Sequence, residues 1–248
     1  MKSYDPRKPL ISIHIPKCAG SSFSNVLMAW FGKGFHKHYP NERRNKPPKK
    51  HSLYTGFINK KLKHGICIHG HFNNARGNGV NDYYPEVDQF ITIMRDPFNL
   101  HLSTYFYVRR EAKSNSGGAY RAGKRHRIIE NGWNIEDYLK EVKKSYICNF
   151  LPADITLDNY QKHLENQFLY IGLSERLQSS VDILAQLLGF SSTTVPQANV
   201  SNWSEPIPDG AREVFEKNNP LEMAIYRYVE NNWGNDLLET AASAQHGT

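Results

Sequence analysis

No run of about 18 apolar residues occurs in the 248-residue chain, so it contains no segment suited to cross a bilayer as one helix. Cysteine is scarce. Cys18, Cys67 and Cys148 stand singly, with no Cys-x-x-Cys pair, which argues against a disulfide scaffold or a cysteine-held zinc. No charged-then-apolar leader precedes the first apolar stretch, because Pro6, Arg7 and Lys8 interrupt it. These absences predict a cytoplasmic protein. Internal repeats are missing, as are a His-Glu-x-x-His metal motif and any nucleic-acid-binding signature, so nucleic acid is not the expected partner.

What is present points to an anion site. With 39% hydrophobic residues, the chain is long enough to bury a full core as one domain spanning residues 1–248. Ile11 to Phe23 reads ISIHIPKCAGSSF. A β-branched run (Ile11, Ile13, Ile15) stops at Pro16, small residues form a turn, and an apolar helical pattern begins at Phe23. A strand, a small-residue turn and a helix N-terminus together make an anion cradle, since backbone N–H groups converge there and the helix dipole adds positive charge. Lys17 adds a full charge, and Ser21 and Ser22 are expected to cap the helix and donate to anion oxygens. Cys18 in this loop is open to a lowered pKa. The nucleoside-triphosphatase loop differs, because it sets its Lys after the second Gly, whereas Lys17 precedes Gly20.

A second strand pattern, Gln89 to Met94, runs into Arg95-Asp96-Pro97 and a helix through Leu100, Leu102, Tyr105 and Val108 that carries Ser103. A guanidinium and a helix-borne hydroxyl suit a phosphate clamp, and Pro97 suits a first helical turn. Asp96 also looks like a magnesium-holding carboxylate after a strand, as in a kinase with a degenerate loop. Between the two units lies Gly65 to Phe72 (GICIHGHF), a short strand with His69 and His71 spaced to face one side. An imidazole titrating near its ordinary value of about 6.5 suits a general base. Zinc ligation is the rival use of the pair, though it needs a third ligand. Solvated histidines are the plain alternative.

The order Pro-Lys-small-small-Gly-Ser-Ser-Phe resembles the 5′-phosphosulfate loop of the sulfotransferases, which take a sulfuryl group from 3′-phosphoadenosine 5′-phosphosulfate (PAPS). The resemblance covers roughly residues 9–205 and is closest to the carbohydrate branch, the 2-O-sulfotransferase-like family 2. It implies a three-layer α/β/α fold with a mostly parallel sheet, and C-terminal helices over 208–240. It also implies that Pro16, Lys17, Cys18, Ala19, Gly20, Ser21, Ser22 and Phe23 hold the 5′ end of the donor. Arg95 and Ser103 would grip the 3′-phosphate. His71 becomes the catalytic base, with His69 as helper or alternative, Lys17 balances charge on the leaving oxygen, and Asp96 caps its helix in metal-free chemistry. Asn199 and Ser201 fall where relatives fold a loop over the nucleotide.

The charge bears on the acceptor. Lys and Arg number 31 against 24 Asp and Glu, giving +7. The excess clusters at Arg43, Arg44, Lys46, Lys49, Lys50, Lys60, Lys61 and Lys63, and again from Arg109 to Arg127. Part of it suits a polyanionic donor, and the rest suits an anionic acceptor such as a glycan or glycoconjugate. A noncatalytic protein binding a sulfated glycan would use the same features. Asn41–Lys50, Asn74–Asp82 and Ser114–Gly123 read as loops, Ile135–Lys143 and Glu175–Leu188 as helices, and the tail from Ala241 as disordered.

Overall fold

The computed structural model describes residues 2–41, 44, 46–53, 65–114, 127–142, 145–152, 154–195 and 205–233. In chain order these form β1 (Leu10–Ile13), α1 (Gly20–Phe31), β2 (Phe35–His38), β3 (Cys67–Gly70), β4 (Phe90–Met94), α2 (Pro97–Ser114) and α3 (Ile135–Glu141). They continue with α4 (Tyr160–Gln167), β5 (Phe168–Leu173), α5 (Leu177–Leu188), α6 (Ala211–Asn218) and α7 (Pro220–Trp233), together with a few short turns.

The five strands form one parallel sheet in the order β2-β3-β1-β4-β5. Every residue of β1, β3, β4 and β5 is buried, at positions of both parities. Strands buried on both faces need cover on both sides, and the helices supply it, which makes this an α/β architecture. α5 lays Val181, Leu184 and Leu188 into the main core, and each such side chain contributes about 1.5–3 kcal/mol when fully buried. A second core joins Phe98, Leu102 and Tyr105 of α2 to Tyr138 and Leu139 of α3 and Phe215 of α6.

Chain order places the site. β1 is the central strand, with β3 on one side and β4 on the other, so the carboxyl ends of these three strands meet at one crevice. The first strand ends at Ile13 rather than Ile15, because the backbone leaves the ladder to enter the loop. α5 starts at Leu177, and Glu175 sits in a 3₁₀ turn (Ser174–Arg176) where its carboxylate accepts from Asp96 N at 2.9 Å. Residues 74–82 are not an open loop. They hold a 3₁₀ turn (Asn74–Arg76) and a helical turn (Val80–Tyr83) closed by Asp82 onto Gly79 N. Residues 115–123, Asn199, Ser201 and the tail from Ala241 lie outside the described residues. Among the described residues, no helix is long and apolar enough to cross a membrane.

Candidate active site

The loop from His14 to Ala19 connects the central strand to α1. Lys17 and Ala19 both take positive φ, +69° and +54°, without being glycine. A left-handed backbone costs an L-residue about 1–2 kcal/mol. Pro16 and the left-handed Lys17 form a tight turn that Cys18 N closes onto Ile15 O at 3.2 Å, and the left-handed Ala19 then leads the chain into α1. Arg95, at the end of β4, braces the turn by donating from Nη1 to Lys17 O at 3.3 Å.

The expected serine cap is absent. α1 begins at Gly20, its N-cap is Ala19, and no side chain caps it. Ser21 and Ser22 therefore lie inside the first turn, where a hydroxyl cannot serve as N-cap, and the helix leaves its leading N–H groups facing the crevice. Phe23 is buried, with its ring edge-on to His69 at 6.1 Å, and packs the core. Cys18 is also buried, and burial pushes its thiol well above the ordinary range, which overturns the lowered pKa expected from its loop position. Lys17 sets its ammonium 4.2 Å from the centre of the Tyr107 ring, and burial followed by the nearby Arg110 and Arg95 charges lowers its pKa.

Ser103 is buried on α2, two turns beyond Arg95. Asp96 caps α2 by accepting from Asn99 N at 2.9 Å. Its two carboxylate oxygens also take a forked contact from Arg212, at 2.9 and 3.2 Å. With both oxygens engaged in structural bonds, Asp96 does not present itself as a metal ligand.

The histidines converge. In the parallel register Ser12 pairs with His69 and Ile13 with Gly70, and His14 and His71 follow at the strand ends. Their rings lie 4.5 Å apart at the centroids, and His14 stacks on His69 at 5.3 Å. His69 is fully buried, its Nδ1 shares a hydrogen bond with Ser12 Oγ at 2.9 Å, and burial pushes its pKa down to about 3. His71 is half-buried at the wall of a cleft of about 90 Å³. Burial, then the Arg76 charge, pushes its pKa down to about 4, and its Nε2 has no hydrogen-bond partner. Pro16, Pro40, Asn73, Arg76 and Tyr146 line the same cleft. No group of three His, Cys, Asp or Glu residues among those described could hold a metal ion.

Sequence reasoning missed His14, Tyr39 and Arg76. The alternation Ile11, Ile13, Ile15 did carry a signal for His14, because it sends Ser12 and His14 to the opposite side. The pairing of that side with His69 and His71 appears only once β1 and β3 are known to be parallel neighbours.

Buried neutral histidines make stability depend on pH. His38, His71 and His101 are pushed down to about 4 and His69 to about 3, in each case chiefly by burial. The unfolded chain takes up protons near 6.5 that the folded chain refuses, so stability is complete above pH 6.5 and is lost as pH falls toward 4. Buried Glu222, pushed up to about 7, opposes this between pH 4.5 and 7. Four histidines outweigh one carboxyl, and denaturant titrations should show a net loss of at least about 2 kcal/mol between pH 6.5 and 4.5. A flat profile would contradict the burial.

A parallel sheet whose central strand runs through a tight turn into a helix, with the turn braced by an arginine from the adjacent strand, defines an α/β protein with a crevice at its strand ends. The family model described as "Sulfotransferase family" matches residues 3–238, and the chain belongs to that family. Comparison with curated proteins finds no match. Among solved structures, mouse sulfotransferase SULT7A1 complexed with PAP aligns with a TM-score of 0.42 and 15% identity. The alignment covers 77% of this chain and 61% of that one.

Proposed function

We propose that the protein, acting as one domain, transfers the sulfuryl group of PAPS to a hydroxyl of a carbohydrate acceptor, without a metal ion. The observation that carries this reading is the meeting of three strand ends in one crevice: the Lys17 loop from β1, His71 after β3 and Arg95 after β4. The uncapped start of α1 and the loop before it would hold the 5′-phosphosulfate, while Arg95 and Ser103 would take the 3′-phosphate. The acceptor oxygen attacks sulfur in line as the bond from sulfur to the 5′-phosphate oxygen breaks. His71 Nε2 accepts the hydroxyl proton, and adenosine 3′,5′-bisphosphate leaves with its new charge next to Lys17. His71 is the better base because its ring lines the cleft, whereas the whole of His69 is buried and its Nδ1 is held by Ser12. The Nε2 atoms of both rings are buried without a partner, so reach to the acceptor decides between them.

The cleft suits a sugar. Pro16, Pro40 and Phe150 offer apolar faces, Asn73 and Asn78 offer amides, and Arg76 offers a cation for an acidic group. All three cysteines are free, consistent with a reducing, cytoplasmic setting.

The test is an acceptor screen with labelled PAPS over neutral and acidic glycans, read as the mass gain of one sulfo group. Transfer to a glycan supports the reading, and Arg95→Ala should weaken donor binding about 10- to 100-fold, the value of a charge-assisted contact of about 1.5–3 kcal/mol. Transfer of phosphate from ATP instead would overturn it.

A further inference from the structure

Resting on this reading of the donor loop, we propose that His14 is a donor-binding residue whose Nε2–H donates a hydrogen bond to a sulfuryl oxygen of PAPS, with Tyr39 holding the ring in the tautomer that can do so. The geometry begins at Gly20, the first residue of α1. A Cβ built there would lie 1.8 Å from His14 Nε2, so the imidazole edge fills the space a side chain would need. In a helix the Cα–Cβ bond tilts toward the N-terminus. His14 Nε2 therefore stands at the N-terminal mouth of α1, and only glycine at position 20 admits it.

The rest of the ring is restrained. Nδ1 shares a hydrogen bond with Tyr39 Oη at 2.9 Å, and the faces lie against His69 and His71. Burial raises the Tyr39 phenol, so it keeps its proton, and burial with the neighbouring His71 lowers His14, so the ring is neutral. When the phenol donates to Nδ1, the single imidazole hydrogen sits on Nε2. An anionic oxygen at the loop selects that tautomer, because the other would set two acceptors against each other. The contact belongs to the sulfuryl end and not to the nucleotide, and this makes it separable.

Calorimetric titrations with PAPS and with adenosine 3′,5′-bisphosphate, which lacks the sulfuryl group, read it without an acceptor. His14→Phe keeps a ring over Gly20 and removes both nitrogens. His14→Asn reaches only as far as Nδ1, and His14→Gln carries an amide N–H to the Nε2 position. The expected result is a loss of about tenfold in PAPS affinity for the Phe and Asn variants, with bisphosphate affinity within about twofold of the parent. The Gln variant should stay close to the parent for both. Tyr39→Phe, which leaves the loop residues intact, should cost about threefold for PAPS alone and serves if the His14 variants fold poorly. Equal losses for both nucleotides, no loss for either, or a Gln variant that behaves like Phe would overturn the inference and leave the donor assignment standing. A parent protein that binds neither nucleotide would overturn the donor assignment itself, and this inference with it.

Discussion

His71→Ala should leave donor affinity intact and lower sulfuryl transfer by about 10²–10⁴-fold, the range of general-base catalysis. The effect is large because nothing else at the cleft replaces the group. His69 is buried on Ser12, and His14 faces the start of α1. The pH profile adds a second check. An ordinary imidazole would set the acid limb near pH 6.5, but burial and Arg76 hold His71 down at about 4 in the free protein. The rate per free enzyme and donor, kcat/KM, should therefore stay level well below pH 6.5, until acid unfolding intrudes. Bound donor adds negative charge and pulls the imidazole back up, so the limb in kcat belongs at higher pH than the limb in kcat/KM. Activity lost to a chelator and restored by zinc would turn His69 and His71 into ligands. An active His71→Ala with a dead His69→Ala would reverse the choice of base.

Lys17→Ala should lower kcat by about 10²–10³-fold at saturating donor, with a smaller loss in donor affinity. The ground state already carries phosphate charge for Lys17 to meet, but the bridging oxygen gains its charge only as the sulfur bond breaks, so the lysine acts more strongly on the transition state. Its ammonium rests over the Tyr107 ring at 4.2 Å. Unchanged turnover in Lys17→Ala would refute that role.

The central features of the fold were legible because the sequence states them locally. The apolar runs from Ile11 and from Gln89 stop at Pro16 and at Arg95, and each holds a strand of the sheet, Leu10–Ile13 and Phe90–Met94. The short edge strand β2, Phe35–His38, was not legible. It carries one apolar residue in four and is a strand only because β3 offers it a ladder. The loop after β1 showed its charge and its small residues, but not where the helix begins. The helix begins at Gly20, three residues before the apolar pattern at Phe23, and this turned Ser21 and Ser22 from caps into first-turn residues. Burial was equally hidden, since a histidine code letter does not reveal that His71 titrates near 4 or that Cys18 is sealed from solvent.

The most direct measurement is a thermal unfolding comparison of adenosine 3′,5′-bisphosphate with ATP and Mg²⁺ at equal concentrations. A ligand that binds only the folded state raises Tm by mass action, about 2.7 kcal/mol of stabilisation at a hundred times its Kd. A donor site with Arg95 and Ser103 set for a 3′-phosphate predicts a clear rise with the bisphosphate and little with ATP. Equal rises from both, or a rise with ATP alone, would contradict it.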